Sequence, residues 1–399
     1  MKLALITARF PFGKGEAFLA EELGGLAGSV QSITVIPVRP KGHVAALTVP
    51  KVSAQRLGLV APRTLGLALH EMMRHPHRVA ALFLEMMRQP ASLSTRLKNL
   101  SVFPKGLAVA AEVRRLGFDH VHAYWLSTPA TVGYIAASLT NVRWSITAHR
   151  WDIYENNLIP LKAASAQAIR VISKRGEQEL HRCLDPAVAQ RVHVVHIGVS
   201  NIAEASPPSS GEKFSLLCAA NFVPVKGHTY LLQALSALAD SGVQFHCTLA
   251  GDGPLRPTLA RAIRAHTLEG CVTMRGHLAH HVLLDELRRG SYDVMVLAST
   301  EDASGLMEGI PVALIEAMAA GIPCVATRTG SIPELIDSTC GILVAQKDPA
   351  ALAQALLSLA HDPRQRERLA WGALARVRAA FNIQRTSRDL AALFRTGQG

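Results

Sequence analysis

The fold this sequence predicts is two doubly wound α/β domains in tandem, on three observations. Short apolar runs alternate with longer helical patterns, and the series occurs twice. A single polar, proline-containing stretch separates the two series. The length of 399 residues also exceeds what one compact core usually holds.

The first series offers strands at 2–7 (KLALIT), 32–38 (SITVIPV), 120–125 (HVHAYW), 144–149 (WSITAH), 168–173 (AIRVIS) and 192–198 (VHVVHIG). Their Val, Ile and Ala content suits strands covered on both faces. The stretch SNIAEASPPSSGEK (200–213) then breaks the pattern, so a first domain is expected over 1–200, a linker over 201–212 and a second domain over 213–385. The second series supplies strands at 214–220, 245–251, 272–276, 294–299, 324–327 and 341–344. Between them HTYLLQALSALAD and PLRPTLARAIRAH carry apolar residues at three- and four-residue spacing, the helical period.

Composition narrows the function. With 49% hydrophobic and 18% charged residues the chain can bury a core, and no run approaches 18 uninterrupted apolar residues, so neither a disordered nor a membrane-spanning protein is expected. The opening MKLALITARFPFGKGE lacks the features of an export leader, which points to the cytoplasm. Six cysteines, at 183, 218, 247, 271, 324 and 340, stand singly and read as packing thiols, not as disulfides or metal ligands.

The net charge of +12 is unevenly placed. Residues 1–200 hold 24 Lys and Arg against 12 Asp and Glu, while residues 201–399 hold 18 of each. The first half is thus expected to meet an anionic partner, with nucleic acid disfavoured because no nucleic-acid-binding signature accompanies the charge. Between 55 and 115, apolar stripes (Leu65, Leu67, Leu69, Met72 and Met73; then Val79, Leu82, Phe83, Met86 and Met87) are interspersed with Arg63, Arg74, Arg78, Arg88, Arg96, Lys98 and Lys105. These segments are either covering helices with solvated basic faces or helices lying on an anionic membrane surface, and the charge asymmetry favours the second.

The densest chemical signal is EGIPVALIEAMAAGIPCVATRTGSIPELI (308–336). It predicts a loop and then a helix with Pro311 at its first position, leaving the amides of Val312, Ala313 and Leu314 to bind an anion such as a diphosphate. Glu316 follows five residues later, about 7 to 8 Å along the axis. Within the apolar ALIEAMAAG its carboxylate needs a partner, and a sugar or ribose diol would serve. Upstream, AANFVPVKGH (219–228) places Lys226 and Gly227 in a loop before a helix, where an ammonium can meet a phosphate and the glycine lets backbone approach. In the first half, RFPFGKGE (9–16) offers Gly13 and Gly15 for a backbone curl and Glu16 as a helix cap, and ITAHRWDIYENN (146–157) ends a strand at His149 with Asp152 just beyond.

In this order the motifs resemble the retaining nucleotide-sugar glycosyltransferases of family 4, in the form found in colanic acid and exopolysaccharide biosynthesis. The resemblance covers nearly the whole chain: glycine loop, T-A-H strand, linker, Lys-Gly loop, AGDGP (250–254), and the E-x7-E region with Gly321, Pro323, Gly330 and PELI after it. It implies the GT-B architecture, two Rossmann-like domains facing an interdomain cleft, with a last segment at 386–399 crossing back to the first domain. The first domain would bind the acceptor and the second the nucleotide-sugar.

The resemblance makes Glu308 and His149 the catalytic pair, Glu308 meeting sugar hydroxyls. It assigns Gly13, Gly15, Lys226, Gly227, Gly309, Ile310, Val312, Ala313 and Glu316 to the donor, and His122, Trp125 and Asp152 to the acceptor cleft. Two positions depart from the pattern: Asn221 stands where the family has an arginine, and Pro311 where it often has glycine. Arg256, Arg275 and Arg328 are candidates to supply the missing charge, and backbone near 276–278 would meet the base.

The implied reaction is sugar transfer from a nucleotide diphosphate to a hydroxyl of a lipid-linked saccharide, with retention, no metal and no cofactor, on the cytoplasmic face of the cell membrane. A nucleotide-sugar epimerase of the same shape, or a non-catalytic nucleotide-sugar-binding or membrane-binding subunit, are the alternatives.

Overall fold

The computed structural model describes all residues except 13–15, 17, 44–48, 205–212, 303, 304, 306 and 396–399. The chain forms two compact units. The first is Met1–Gly198 together with the chain from Ile383 onward, and the second is Val199–Asn382.

The first unit is built on β1 (Lys2–Thr7), β2 (Ser32–Pro37), β3 (Val52–Ala54), β4 (His120–Tyr124), β5 (Arg143–Ala148), β6 (Ala168–Val171) and β7 (Val192–Val194). They form one parallel sheet in the order β3-β2-β1-β4-β5-β6-β7. In register, Leu5 lies opposite Val35 on one side and His122 on the other. Side chains alternate between faces. Leu3 and Leu5 pack under the helices Phe18–Ala27 and Ile383–Leu393, while Ala4, Ile6, Val121 and Ala123 belong to the apolar layer beneath the opposite helices. Strand β3 has no apolar run to announce it and exists through its pairing with β2.

The second unit holds β8 (Phe214–Ala219), β9 (Phe245–Ala250), β10 (Val272–Gly276), β11 (Val294–Leu297), β12 (Cys324–Thr327) and β13 (Gly341–Val344), parallel throughout in the order β10-β9-β8-β11-β12-β13. Both sheets therefore grow outward from a central pair, β1 with β4 and β8 with β11. The carboxyl ends of such a pair are where a doubly wound fold opens a crevice for ligands. Two doubly wound α/β units is the predicted class.

Three helices, Pro62–Arg74, Pro76–Arg88 and Leu93–Leu116, occupy the basic segment of the first unit. Its two apolar stripes behave differently. Val79, Leu82 and Met86 are buried, whereas Leu65, Leu69, Met72 and Met73 are 48%, 51%, 45% and 66% exposed. Among the described residues no helix is long and apolar enough to cross a membrane. All six cysteines are unpaired, and Cys218, Cys247, Cys324 and Cys340 are buried; Cys183, expected to pack inside, is exposed.

Candidate functional site

In the second unit three loops meet at the carboxyl ends of β8, β11 and β12. After β8 the chain turns through Pro224–Lys226 and Gly227 into the helix His228–Asp240. Gly227 has φ +63°, and a Cβ there would lie 1.8 Å from the Ala298 carbonyl oxygen, so only glycine lets the loop press on the end of β11. The Thr300 amide donates to the Val225 carbonyl at 2.8 Å and fixes the same contact. Beyond β12, Gly330 has φ +57° and a Cβ there would lie 1.8 Å from the Glu308 carbonyl oxygen, to which the Ser331 amide donates.

These two close approaches bring Lys226 and Glu308 together across 82 residues of sequence. Lys226 Nζ donates to Glu308 Oε2 at 2.5 Å, with both side chains mostly buried. Gly309 beside the carboxylate has open space around its missing Cβ, while Ile310 turns into the core. On the same loops His228 is buried, and among the described residues neither its ring nitrogens nor the buried hydroxyls of Ser299, Thr329 and Ser331 have partners. Burial, and then the Lys226 charge, lower the His228 pKa to about 4, so the ring is neutral at pH 7.

The helix holding Glu316 runs Val312–Ala319 with Pro311 as its cap, one residue later than the sequence suggests. The reason is Pro311's extended ψ of 122°. The Leu314 amide, expected to point outward, donates to the Pro311 carbonyl, as does that of Ile315, so the amides of Val312 and Ala313 remain at the turn. Glu316 is 8% exposed. Its Oε1 accepts from His280 Nε2 at 2.6 Å, and the described residues give its other oxygen no partner. His280, 36 positions upstream, was not legible as that partner from the sequence.

AGDGP follows β9 and packs against the loop after β8. The Phe222 amide donates to the Asp252 carbonyl at 2.9 Å, and a Cβ on Gly251 would meet the Ala220 oxygen at 2.0 Å. Asn221 is exposed between these contacts. Of the candidate arginines, Arg275 is committed to Glu286 through two bonds of 2.7 and 2.8 Å. Arg256 pairs with Asp252 at 3.6 Å and stands beside Gly276, and Arg328 is exposed at the end of β12.

In the first unit the carboxyl end of β5 places His149 as the cap of the helix Arg150–Glu155. It is 5% exposed, stacked on Trp125 with ring centroids 4.0 Å apart, and neither nitrogen has a partner among the described residues. Burial, and then the charge of Arg170, lower its pKa to about 3, so the imidazole is neutral. Trp125 takes φ +90°, rare for a bulky residue, and its indole NH donates to Glu16 Oε1 at 2.5 Å.

The Glu16 carboxylate does not cap the next helix. It turns back to accept the amides of Arg9 and Phe10 at 2.8 and 2.7 Å, which shapes the loop after β1. Asp152 is also buried, accepting the Leu126 amide at 2.5 Å, and burial pushes its pKa up to about 8; it organises the loop after β4 from below and does not line an open surface. Gly13 and Gly15 lie outside the described residues.

His122 is a correction. It lies wholly inside the first unit on the face covered by Phe394, with Nδ1 2.7 Å from Ser145 Oγ and Nε2 2.8 Å from Thr147 Oγ1. A histidine with both nitrogens bonded in a closed core contacts no acceptor.

Residues 213–362 match the family described as Glycosyl transferases group 1. A putative colanic acid biosynthesis glycosyltransferase of Escherichia coli is 34% identical over 51% of this chain and 51% of its own. The amylovoran biosynthesis glycosyltransferase of Erwinia amylovora is 36% identical over 44% of this chain and 43% of its own. The chain thus spans about half the length of these curated relatives. Among solved structures, an Anabaena protein in complex with UDP-glucose superposes with a TM-score of 0.70 at 18% identity, covering 98% of each chain. A glycosyltransferase of Rickettsia africae superposes at 0.68 and 17% identity, covering 99% of this chain and 97% of its own. These likenesses identify the fold as GT-B.

Proposed function

We propose that this chain, whose residues 213–362 form a domain of the Glycosyl transferases group 1 family, is a retaining glycosyltransferase of exopolysaccharide synthesis. It moves a sugar from a nucleotide diphosphate to a hydroxyl of a lipid-linked saccharide, and works on the cytoplasmic face of an anionic membrane. The observation that carries the reading is the Lys226–Glu308 pair, held in place by two glycines that admit no side chain.

A diphosphate competes with Glu308 for the Lys226 ammonium. Once displaced, the Glu308 carboxylate is free to accept hydrogen bonds from the donor sugar, and the amides of Val312 and Ala313 add fixed positive dipoles for the charge that grows on the leaving phosphate. Glu316, steadied by His280, takes a ribose hydroxyl on its remaining oxygen. In the first unit His149, neutral at pH 7, is the proposed hydrogen-bonding group of the transfer, one that brings no competing charge. The reading invokes no metal. The names of the relatives and the UDP-glucose of the Anabaena structure support it, as does the exposed apolar and basic surface of the first unit.

The test is a thermal-shift screen against UDP-, GDP- and ADP-sugars. At a hundredfold excess over Kd, a true donor adds about 2.7 kcal/mol of stability, a rise of roughly 5–10 °C for a domain of this size. Lys226→Ala is expected to weaken that donor at least about tenfold, a loss of about 1.4 kcal/mol or more, and to lower the unliganded melting temperature as well because Glu308 loses its buried partner, so the donor shift is read against each protein's own unliganded value. A panel in which no sugar nucleotide binds, or a Lys226→Ala protein with undiminished transfer, defeats the proposal.

A further inference from the structure

The first unit has a cavity of about 260 Å3 at the carboxyl ends of β1, β2 and β4, lined by Ala8, Arg9, Val38, Arg39, Lys98, Ser127, Thr128 and Glu155. Its charge is unbalanced. Lys98 pairs with Glu155 at 2.7 Å, but Arg9 and Arg39 are exposed and their guanidinium groups have no partner among the described residues. Three cations and one carboxylate leave a formal excess of two positive charges.

The arginines are set side by side by the backbone. The Arg39 amide donates to the Ala8 carbonyl at 3.0 Å, tying the loop after β2 to the loop after β1. The carboxylate that could have neutralised Arg9, Glu16, is instead occupied by the amides of Arg9 and Phe10 and by the Trp125 indole. Thr128 opens the 13-residue helix Thr128–Thr140, so its positive end adds to the same field.

We propose that this pocket binds the phosphoryl group of the acceptor, the phosphate or diphosphate through which a saccharide is joined to its lipid. The assignment deepens the transferase reading above and rests on it. At about 260 Å3 the pocket falls below the ~300–1,000 Å3 of sites that enclose a whole drug-sized ligand, so it takes one group of a larger molecule. The rest of that molecule also has a place. On the helix that carries Lys98, Leu93, Leu97 and Leu100 are exposed at i, i+4 and i+7, an apolar stripe about a third of a turn round the helix from Lys98, which a prenyl chain would reach by crossing that helix. Paired guanidinium groups give a phosphate several donors in planar forks, which suits arginine better than lysine here.

The experiment uses the full chain with Lys226→Ala as background, so that the second unit's cation does not report. Inorganic pyrophosphate, farnesyl diphosphate and farnesol are titrated calorimetrically. Pyrophosphate and farnesyl diphosphate are expected to bind, farnesyl diphosphate more tightly, and both at least tenfold more weakly once Arg9→Gln and Arg39→Gln are added; farnesol is expected to be indifferent to those changes. Equal diphosphate binding with and without the two arginines overturns the proposal, as does no diphosphate binding to the Lys226→Ala protein.

Phosphatidylglycerol vesicles separate the other source of phosphate. Their binding is expected to survive the arginine substitutions. A loss of vesicle binding with farnesyl diphosphate unaffected assigns the pocket to lipid head groups and also overturns the proposal. If wild-type protein binds no sugar nucleotide while the pyrophosphate titration is as expected, the transferase reading and the acceptor assignment fall together, an outcome distinct from failure of the pocket.

Discussion

Gly330 shows how much of this site depends on single atoms that are missing. A methyl group there would enter the left-handed region at about 1–2 kcal/mol and would also meet the Glu308 carbonyl. Gly330→Ala should therefore cost donor affinity more than stability, because the loop carrying Glu308 is displaced while the sheet is untouched; the contrast between sugar-nucleotide Kd and melting temperature measures it. The buried histidines supply a second prediction. His120 and His149 are lowered to about 3 and His228 to about 4, all mainly by burial, so the folded protein refuses protons that the unfolded chain accepts below about pH 6.5. Their stability contribution is complete above pH 6.5 and is lost as pH falls toward 4. Asp152, raised to about 8, acts in the opposite direction over that window, one group against these three and His122, which burial also lowers. Denaturant titrations between pH 6.5 and 4 should show stability falling by more than about 1.4 kcal/mol per pH unit, the slope of one proton. A flat profile would show that these rings accept protons in the folded state.

At the scale of elements, two first-unit helices turn an apolar stripe outward, Pro62–Arg74 and the start of Leu93–Leu116. Leu65, Leu69, Met72 and Met73 follow i, i+4, i+7 and i+8 on the helix Pro62–Arg74, with Arg63 and Arg74 at its ends. Replacing Leu65, Leu69 and Met73 by serine should weaken partition onto phosphatidylglycerol vesicles at least tenfold without lowering the melting temperature, since half-exposed side chains contribute little to the core. Cosedimentation measures this, and unchanged partition would remove the membrane from the account. The sequence made both stripes visible but not which one was inward, because helical period is the same for a buried face and a membrane face. Strand β3 was invisible for the opposite reason: three residues with no apolar run are recruited by a neighbour. His122 was misread because its bonding partners, Ser145 and Thr147, lie on an adjacent strand, and only the register of β4 against β5 brings them opposite. Lys226 and Glu308 were found singly through motifs, yet their pairing depends on close backbone contacts that no spacing encodes.

For the whole molecule, the governing fact is that the first unit is discontinuous. The helix Ile383–Leu393 packs on the helix Phe18–Ala27, where Ser387 lies against Gly25, and Leu390 and Phe394 are fully buried. Gln167 reaches the Leu393 carbonyl at 2.9 Å and Arg395 the Ser29 carbonyl at 2.8 Å. Ending the chain at residue 382 should destabilise the first unit by more than the roughly 3–5 kcal/mol of a single buried aromatic, and leave the second unit folded. Limited proteolysis would then release a resistant fragment near 199–382, whereas equal resistance of both units would show that the helix is dispensable. The division at 198 and 199 stands close to the composition break at 200; the point of return, at 383, lies three residues before the 386 that the resemblance implied, and composition alone did not mark it.

This discontinuity also sets an order of events during synthesis. The β-strands of the first unit leave the ribosome early, but the surface formed by Leu3, Leu5, Leu19 and Leu23 stays uncovered until residue 394 has emerged, after the whole second unit. At elongation rates of about 5–20 residues per second, the intervening 184 residues of that unit hold the nascent sheet half-dressed for roughly 10–40 seconds. Ribosome-associated chaperones would find their binding site on this protein there, on the side that the last helix eventually closes.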